Sequence, residues 1–253
     1  MENKIALVTG ASKGIGYEVA RQLAKQGVTV LVAARTKAAA EEAAGELRRE
    51  GLQALGVELE VTNAEHIAEI AQFIQETYGR LDILVNNAGI WAENSGYEGD
   101  AFRDTFEVNT FAPFFITEAL LPLLLKSDAG RIVNQSSALG SIQFQLSNEL
   151  AQRIATPAYS ASKAALNMLT AYWAQKTKGT NLKVNSVHPG LVKTRMGGEK
   201  AELSAEEGAK TAGFTIWMSS CLGEMFEQQE GLIGMSPHLF DRVSLRLSAN
   251  ETG

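Results

Sequence analysis

TGASKGIG, residues 9–16, leaves a short apolar run, Ile5-Ala6-Leu7-Val8, and enters a stretch with Val19, Ala20, Leu23 and Ala24 at helical spacing. The glycines fall as G-x-x-x-G-x-G, at Gly10, Gly14 and Gly16. A turn of this kind between strand and helix brings backbone N–H groups close to a pyrophosphate, with the helix N-terminus aimed at it. Side chains would block that approach, which is the physical reason for glycine. The strand–turn–helix setting distinguishes a nucleotide site from a plain glycine turn. Lys13 stands inside the turn, either as a solvated surface charge or as a ligand for an anion.

Working outward, Gly27 ends the first helix, and Val28–Ala34 is a continuous apolar run of the kind buried on both faces of a parallel sheet. Thr36–Glu50, rich in Ala and Glu, reads as a helix closed by Gly51, and Leu52–Leu59 as a third strand. Asn63 caps a helix over Ala64–Tyr78, with Gly79 after it, and Leu81–Asn86 is a fourth strand. Strands are predicted at Arg131–Gln135 and Lys183–Val187, with a last short one near Leu232–Met235. Helices are predicted around Asp100–Lys126, Pro157–Lys178 and Glu206–Ser220. Such alternation predicts an α/β fold with a doubly wound parallel sheet and helices on both faces. Without repeats or linkers, residues 1–253 read as one domain.

Composition excludes several classes of function. A net charge of −6 is the wrong sign for a nucleic-acid surface. No apolar run approaches the roughly 18 to 20 residues that cross a bilayer, and the N-terminal apolar run is too short for a signal peptide. Cys221 is the only cysteine, and His66, His188 and His238 lack zinc spacing. The expectation is a soluble, cytoplasmic protein with no bound metal and no membrane or nucleic-acid partner.

The second strand ends Ala33-Ala34-Arg35. A site selective for NAD places a carboxylate there for the ribose hydroxyls; here there is none. Arg35 can grip a 2′-phosphate with paired hydrogen bonds, and Lys13 can reach the same group, so together they read as a clamp for NADP. Downstream, Tyr159-Ser160-Ala161-Ser162-Lys163 lies on a predicted helix and puts Tyr159 and Lys163 on one face. A free tyrosine, with a pKa of about 10, exchanges protons poorly at neutral pH, and a nearby ammonium favours phenolate and lowers that value. Tyr159 is thereby a candidate proton donor to an oxygen that receives hydride. Asn86-Asn87-Ala88-Gly89, Ser136-Ser137 and Pro189-Gly190 follow three further strands, at the sheet edge where open parallel sheets bind ligands.

Together these motifs resemble the short-chain dehydrogenase/reductase family. They are Thr9-Gly10-x-x-x-Gly14-x-Gly16, Asn86-Asn87-Ala88-Gly89, Val108-Asn109-Thr110, Ser137, Tyr159-x-x-x-Lys163 and Pro189-Gly190-x-Val192-x-Thr194, in the family's order, from near residue 4 to about 195. The resemblance implies a Rossmann fold with a seven-stranded parallel sheet and a catalytic tetrad of Asn109, Ser137, Tyr159 and Lys163. It makes Tyr159 the acid/base and Ser137 the group that orients the carbonyl. Lys163 lowers the tyrosine pKa and binds the nicotinamide ribose, and Asn109 holds a water in a proton path to Lys163. For the cofactor, NADP(H), it implies a cradle from Gly10, Ser12, Lys13, Gly14, Ile15 and Gly16, with Arg35 at the second strand. Glu60 and Val61 stand at the adenine; Asn86, Ala88 and Gly89 follow the fourth strand. Tyr159, Lys163, Pro189, Gly190, Val192 and Thr194 complete the nicotinamide end.

Three features depart from the family. Glu60-Val61 replaces the usual Asp-Val, the connection from Ser137 to Tyr159 is long, and the end after Gly234 lacks the usual Val-Asp-Gly-Gly. The tail Ser236–Gly253 either packs at a subunit interface or frays. Ser204–Ala209 is similar to a stretch in carbonyl reductases. Trp91, Phe144, Leu191 and Met196 are candidate pocket walls, Gly197-Gly198 a candidate lid hinge, and Arg153 and Arg195 are read as solvent-facing. The expected activity is NADPH-dependent reduction of an apolar ketone or aldehyde to an alcohol, by a homodimer or homotetramer. The alternatives are a 3-ketoacyl thioester reductase and a catalytically silent NADP-sensing module.

Overall fold

The computed structural model describes residues 4–92, 100–154, 156–199 and 201–226. The chain alternates β1 (Ile5–Val8), α1 (Gly14–Lys25), β2 (Thr29–Ala34), α2 (Lys37–Arg49), β3 (Ala54–Glu58), α3 (Ala64–Thr77) and β4 (Ile83–Asn86). Then come α4 (Ala101–Phe106), a π-helical turn (Glu107–Phe111), α5 (Ala112–Leu124), β5 (Arg131–Gln135), α6 (Ile142–Ser147), α7 (Glu149–Arg153), α8 (Pro157–Lys176), β6 (Lys183–Val187) and α9 (Ala205–Phe226). All strand pairs are parallel, in the order β3-β2-β1-β4-β5-β6, which is the Rossmann order. The sheet has six strands among the described residues; the predicted strand at Leu232–Met235 and the tail Ser236–Gly253 lie outside them.

Alternating strand residues serve two cores. Ala6, Val8, Val30, Val32, Val85 and Val133 meet α1, α2 and α9, while Ile5, Leu7, Leu31, Leu84 and Ile132 meet α3, α5 and Trp173 of α8. Burial on both faces is why the strands read as unbroken apolar runs. The order reverses between β1 and β4, and there the carboxyl ends of the strands leave a crevice.

Two regions differ from the sequence expectation. The helix predicted over Asp100–Lys126 is interrupted by the π turn, which carries Asn109. Such turns are rare and concentrate at functional sites. The long connection before Tyr159 holds a 3₁₀ turn (Ala138–Gly140), α6 and α7 rather than open loop. Ser141 caps α6 by accepting from the Phe144 N–H at 3.1 Å. Gln145 donates to the Leu139 carbonyl and to Ser160 Oγ, each at 2.9 Å, which fastens the insertion to the start of α8.

Candidate active site

The glycine turn is shaped by what it must pass. Gly10 has φ +63°, and a Cβ there would sit 2.9 Å from Ala88 Cα. A Cβ at Gly16 would meet Asn87 Nδ2 at 2.3 Å, because Asn87 donates back to the Thr9 and Gly10 carbonyls. Thr9 Oγ1 in turn accepts from the N–H groups of Asn87 and Ala88, both at 3.0 Å. The turn after β1 and the turn after β4 are thus one locked unit.

α2, α3 and α9 begin with a capping side chain from Thr36, Asn63 and Ser204, respectively. α1 does not: its N-cap is Lys13, which makes no capping bond, and its first turn contains no acid. The N–H groups at its start keep no side-chain partner and face the crevice, which is the donor chemistry a diphosphate needs. This open helix end, with the room that Gly10, Gly14 and Gly16 leave, fits a dinucleotide. A Cβ on Gly14 would first meet Thr194 Cγ2 at 3.6 Å, so the segment after β6 stands directly across the turn.

At the adenosine end, Lys13 and Arg35 are exposed, as a clamp for a solvated phosphate would be, and Ser12 and Ile15 line the turn half-buried. Glu60 is differently used. Its carboxylate accepts from the N–H (3.4 Å) and hydroxyl (3.3 Å) of Thr62, and its own N–H donates to His66 Nδ1 at 3.1 Å. Val61 beside it is buried. Asn86 is also committed: 2 % exposed, it donates to Asn134 Oδ1 (2.8 Å) and Thr117 Oγ1 (3.3 Å) inside the sheet. Its Oδ1 is buried with no hydrogen-bond partner among the described residues, whereas Ala88 and Gly89 are half-buried at the crevice.

The expected tetrad converges at the ends of β4 and β5. Ser137 follows β5 and hydrogen-bonds the Tyr159 phenol. Lys163 Nζ lies 5.7 Å from the Tyr159 ring centroid and donates to the Gln135 carbonyl at 2.7 Å. Asn109 Oδ1 accepts from the Ile90 N–H at 2.8 Å, and its Nδ2 donates to the Ile90 carbonyl and to Ser162 Oγ. The Asn109 amide therefore braces the segment after Gly89 against α8. Ser162, which also donates to the Tyr159 carbonyl at 2.7 Å, escaped the sequence reading. Its signal was its place three residues after Tyr159, on the inward face of α8.

One electrostatic expectation is reversed. Burial pushes the Tyr159 phenol above its ordinary value, and the Ser137 hydrogen bond is the influence that pulls it down. Lys163 is not among the causes of this shift; its own ammonium, with its pKa lowered to about 8 by burial, is turned toward the Gln135 carbonyl. Tyr159 is therefore protonated at neutral pH in this state, the form that donates a proton. A Cβ on Gly89 would come within 3.6 Å of Lys163 Nζ and 3.3 Å of Asn109 Oδ1, so glycine keeps the approach to both open.

The third wall is Pro189–Thr194. Gly190, at φ +83°, donates its N–H to His188 Nδ1. Val192 is buried under Gly208 of α9 and bridges to Leu203. Gly197 is a packing glycine rather than a free hinge: a Cβ there would lie 2.1 Å from the Val192 carbonyl, and its N–H is held by Thr194 Oγ1. Ser204 and Glu207 form a reciprocal cap on α9, a structural reason for the Ser204–Ala209 stretch. Trp91 does reach the site, its ring 5.7 Å from that of Tyr159. Phe144 and Met196 are half-buried; Leu191 and Arg195 are exposed, and the side chain of Arg153 lies outside the described set. Among the described residues no group of three or more metal-ligating side chains occurs, and no helix is long and apolar enough to cross a membrane.

Comparison with known proteins follows the same residues. The profile of the short chain dehydrogenase family matches residues 4–204. (+)-Neomenthol dehydrogenase of Arabidopsis thaliana is 33% identical, over 82% of this chain and 89% of its own length. Among solved structures, a metagenomic short-chain oxidoreductase in complex with NADP superposes with a TM-score of 0.72 at 26% identity, covering 94% of this chain and 98% of that one. Actinorhodin polyketide ketoreductase with NADPH gives a TM-score of 0.74 at 28% identity, covering 85% and 92%.

Proposed function

The chain belongs to the short-chain dehydrogenase family, and on that premise we propose that it is an NADPH-dependent reductase of apolar ketones or aldehydes. The observation that carries this reading is the Ser137–Tyr159–Lys163 group, its tyrosine and lysine buried, on a fold that also offers an uncapped helix N-terminus. The relatives solved with NADP and NADPH support the choice of cofactor, as do the two exposed cations at the adenosine end.

When bound, the cofactor supplies hydride to the carbonyl carbon. Tyr159, kept protonated by burial, donates its phenolic proton to the carbonyl oxygen. Ser137, whose single O–H lies at the phenol in the free protein, would turn it to that oxygen and so fix its approach. Lys163 spends one N–H on the Gln135 carbonyl, which would leave two to hold the nicotinamide ribose. Its charge then supports the phenolate that is left. The Asn109 amide, committed to Ile90 and Ser162, holds the segment after Gly89 against α8. Trp91, its ring tilted 33° to that of Tyr159, favours an apolar substrate face.

NADPH oxidation across a panel of ketones, aldehydes and ketoacyl thioesters tests this. Turnover of apolar ketones or aldehydes is the expected result; turnover restricted to thioesters shifts the reading to ketoacyl reduction, and NADPH binding without turnover to a sensor. We further propose a homodimer or larger homo-oligomer. Phe102, Phe111 and Phe115 on the α4–α5 helix and Met168 and Tyr172 on α8 are exposed, and two-fold pairing of these faces would cover them. A monomer by light scattering at micromolar concentration refutes it.

A further inference from the structure

Gln135, the last residue of β5, is 6 % exposed, and neither polar atom of its side chain has a hydrogen-bond partner among the described residues. A carboxamide is a costly group to bury in this way: it brings an acceptor and two donors, and buried polar groups are nearly always paired. Its backbone carbonyl is already used, by Lys163 Nζ.

Strand geometry fixes the side of the sheet that this amide occupies. Side chains alternate along β5. Asn134 turns toward α8, where it donates to Thr170 Oγ1. Val133 belongs to the opposite core, with α1 and α9, and so does Val187, the register partner of Gln135 on β6. Gln135 therefore lies on the α1 and α9 side, at the carboxyl edge, on the face where Ala11 of the glycine turn is buried and Ile15 packs. That is the cofactor side of the strand end, two residues before Ser137.

Its position along the crevice is equally defined. Arg35 ends β2, and β5 is three strands away in the sheet order. At about 4.8 Å per strand this places Gln135 roughly 14 Å from the clamp for the 2′-phosphate. A dinucleotide laid across the edge, with its adenosine half at β2, brings its other half to β5.

We propose that the Gln135 side-chain amide is a polar contact for the nicotinamide riboside half of the dinucleotide, a claim that rests on the cofactor reading above. The amide waits unpaired in the free protein and gains its partner, the ring carboxamide or a ribose hydroxyl, when the cofactor binds. Gln135 then tunes cofactor affinity and ring placement while taking no part in proton transfer.

The test compares wild type with Gln135→Met, which keeps the length and shape of the side chain, and with Gln135→Leu. Thermal unfolding without nucleotide is measured first, then titrations with NADPH, 2′-phospho-ADP-ribose and 2′,5′-ADP. The variants should unfold at the wild-type temperature or above, because the free protein loses no hydrogen bond. NADPH should bind about tenfold more weakly, the scale of one lost buried hydrogen bond. Binding of 2′,5′-ADP, which lacks the nicotinamide riboside, should not change. Weaker binding of 2′-phospho-ADP-ribose assigns the partner to the ribose; unchanged binding assigns it to the ring carboxamide. Unaltered NADPH affinity in a folded variant overturns the proposal, as does an equal loss for all three ligands or a fall in unfolding temperature without a change in affinity. Wild type that binds neither NADPH nor 2′,5′-ADP instead defeats the cofactor reading itself.

Discussion

Lys163 and Arg35 are both cations at the carboxyl edge of one sheet, yet they occupy different media. Lys163 is 4 % exposed, hydrogen-bonded to a backbone carbonyl, and its pKa is lowered to about 8 by burial. Arg35 is exposed beyond the end of β2. The same contrast holds for their neighbours: Asn109, Ser137 and Tyr159 are bound to one another's surroundings, whereas Lys13 makes no capping bond and stands in solvent. On the proposed function, the catalytic end carries its organisation in the free protein, and the adenosine end would acquire it from the ligand. Removing a group from the first should affect the chemical step; removing one from the second should affect only affinity, in a salt-dependent way.

The sharpest test of that contrast is Tyr159→Phe. It removes one hydroxyl from the organised end, and single-turnover NADPH oxidation should slow by about a thousandfold or more, while NADPH affinity stays near wild type. A rate above a tenth of wild type, with chemistry limiting in both, breaks the contrast at its stronger end.

Lys163→Met probes the cost of burying a charge. The folded-state pKa of Lys163 is below its unfolded value of 10.5. Between those values the unfolded chain holds the extra proton, so stability rises with pH across the window; below about 8 the penalty is present in full. The wild-type protein should therefore gain up to about 3 kcal/mol relative to the Met variant between pH 8 and 10.5. Denaturant unfolding at several pH values reads this, and the difference between the two proteins cancels the titration of Tyr159. A flat difference would mean that the ammonium is well solvated.

At the adenosine end, Arg35→Ala should lower kcat/KM for NADPH by about 1–3 kcal/mol, chiefly through KM, and leave NADH nearly untouched. The effect should shrink as salt is raised, since the contact is exposed. Lys13→Ala should do the same to a smaller degree, as a point charge without a planar fork. Equal losses for NADPH and NADH would make Arg35 part of the structure of β2 instead.

How much the sequence revealed follows the same divide between local and distant causes. The glycine turn, the first six strands and the spacing of Tyr159 and Lys163 are local patterns, and the structure places them as read. The direction of the Tyr159 shift is not local: it depends on how deeply α8 sinks beside Trp91 and Ser137. The partners of the Asn86 amide nitrogen, Asn134 and Thr117, are likewise distant in sequence and come to it only through the sheet and α5. Glu60 stood at the adenine in the family's pattern, and that pattern does not show its carboxylate bonding to Thr62 within its own turn. The helices before Tyr159 were invisible because α6 and α7 have only six and five residues, too short for a periodic signal.

The π turn at Glu107–Phe111 makes chain length itself a constraint. A π turn is a helix with one residue more than its neighbours, and each residue turns an α-helix by about 100°. The helical faces of α4 and α5 are therefore out of step by that angle. Deleting any one residue between Asp100 and Ala112 would let the helix run straight. It would also rotate Phe102 and Phe106 away from their present side and draw Asn109 off Ile90. The position of Asn109 is held by a count of residues as firmly as by its hydrogen bonds.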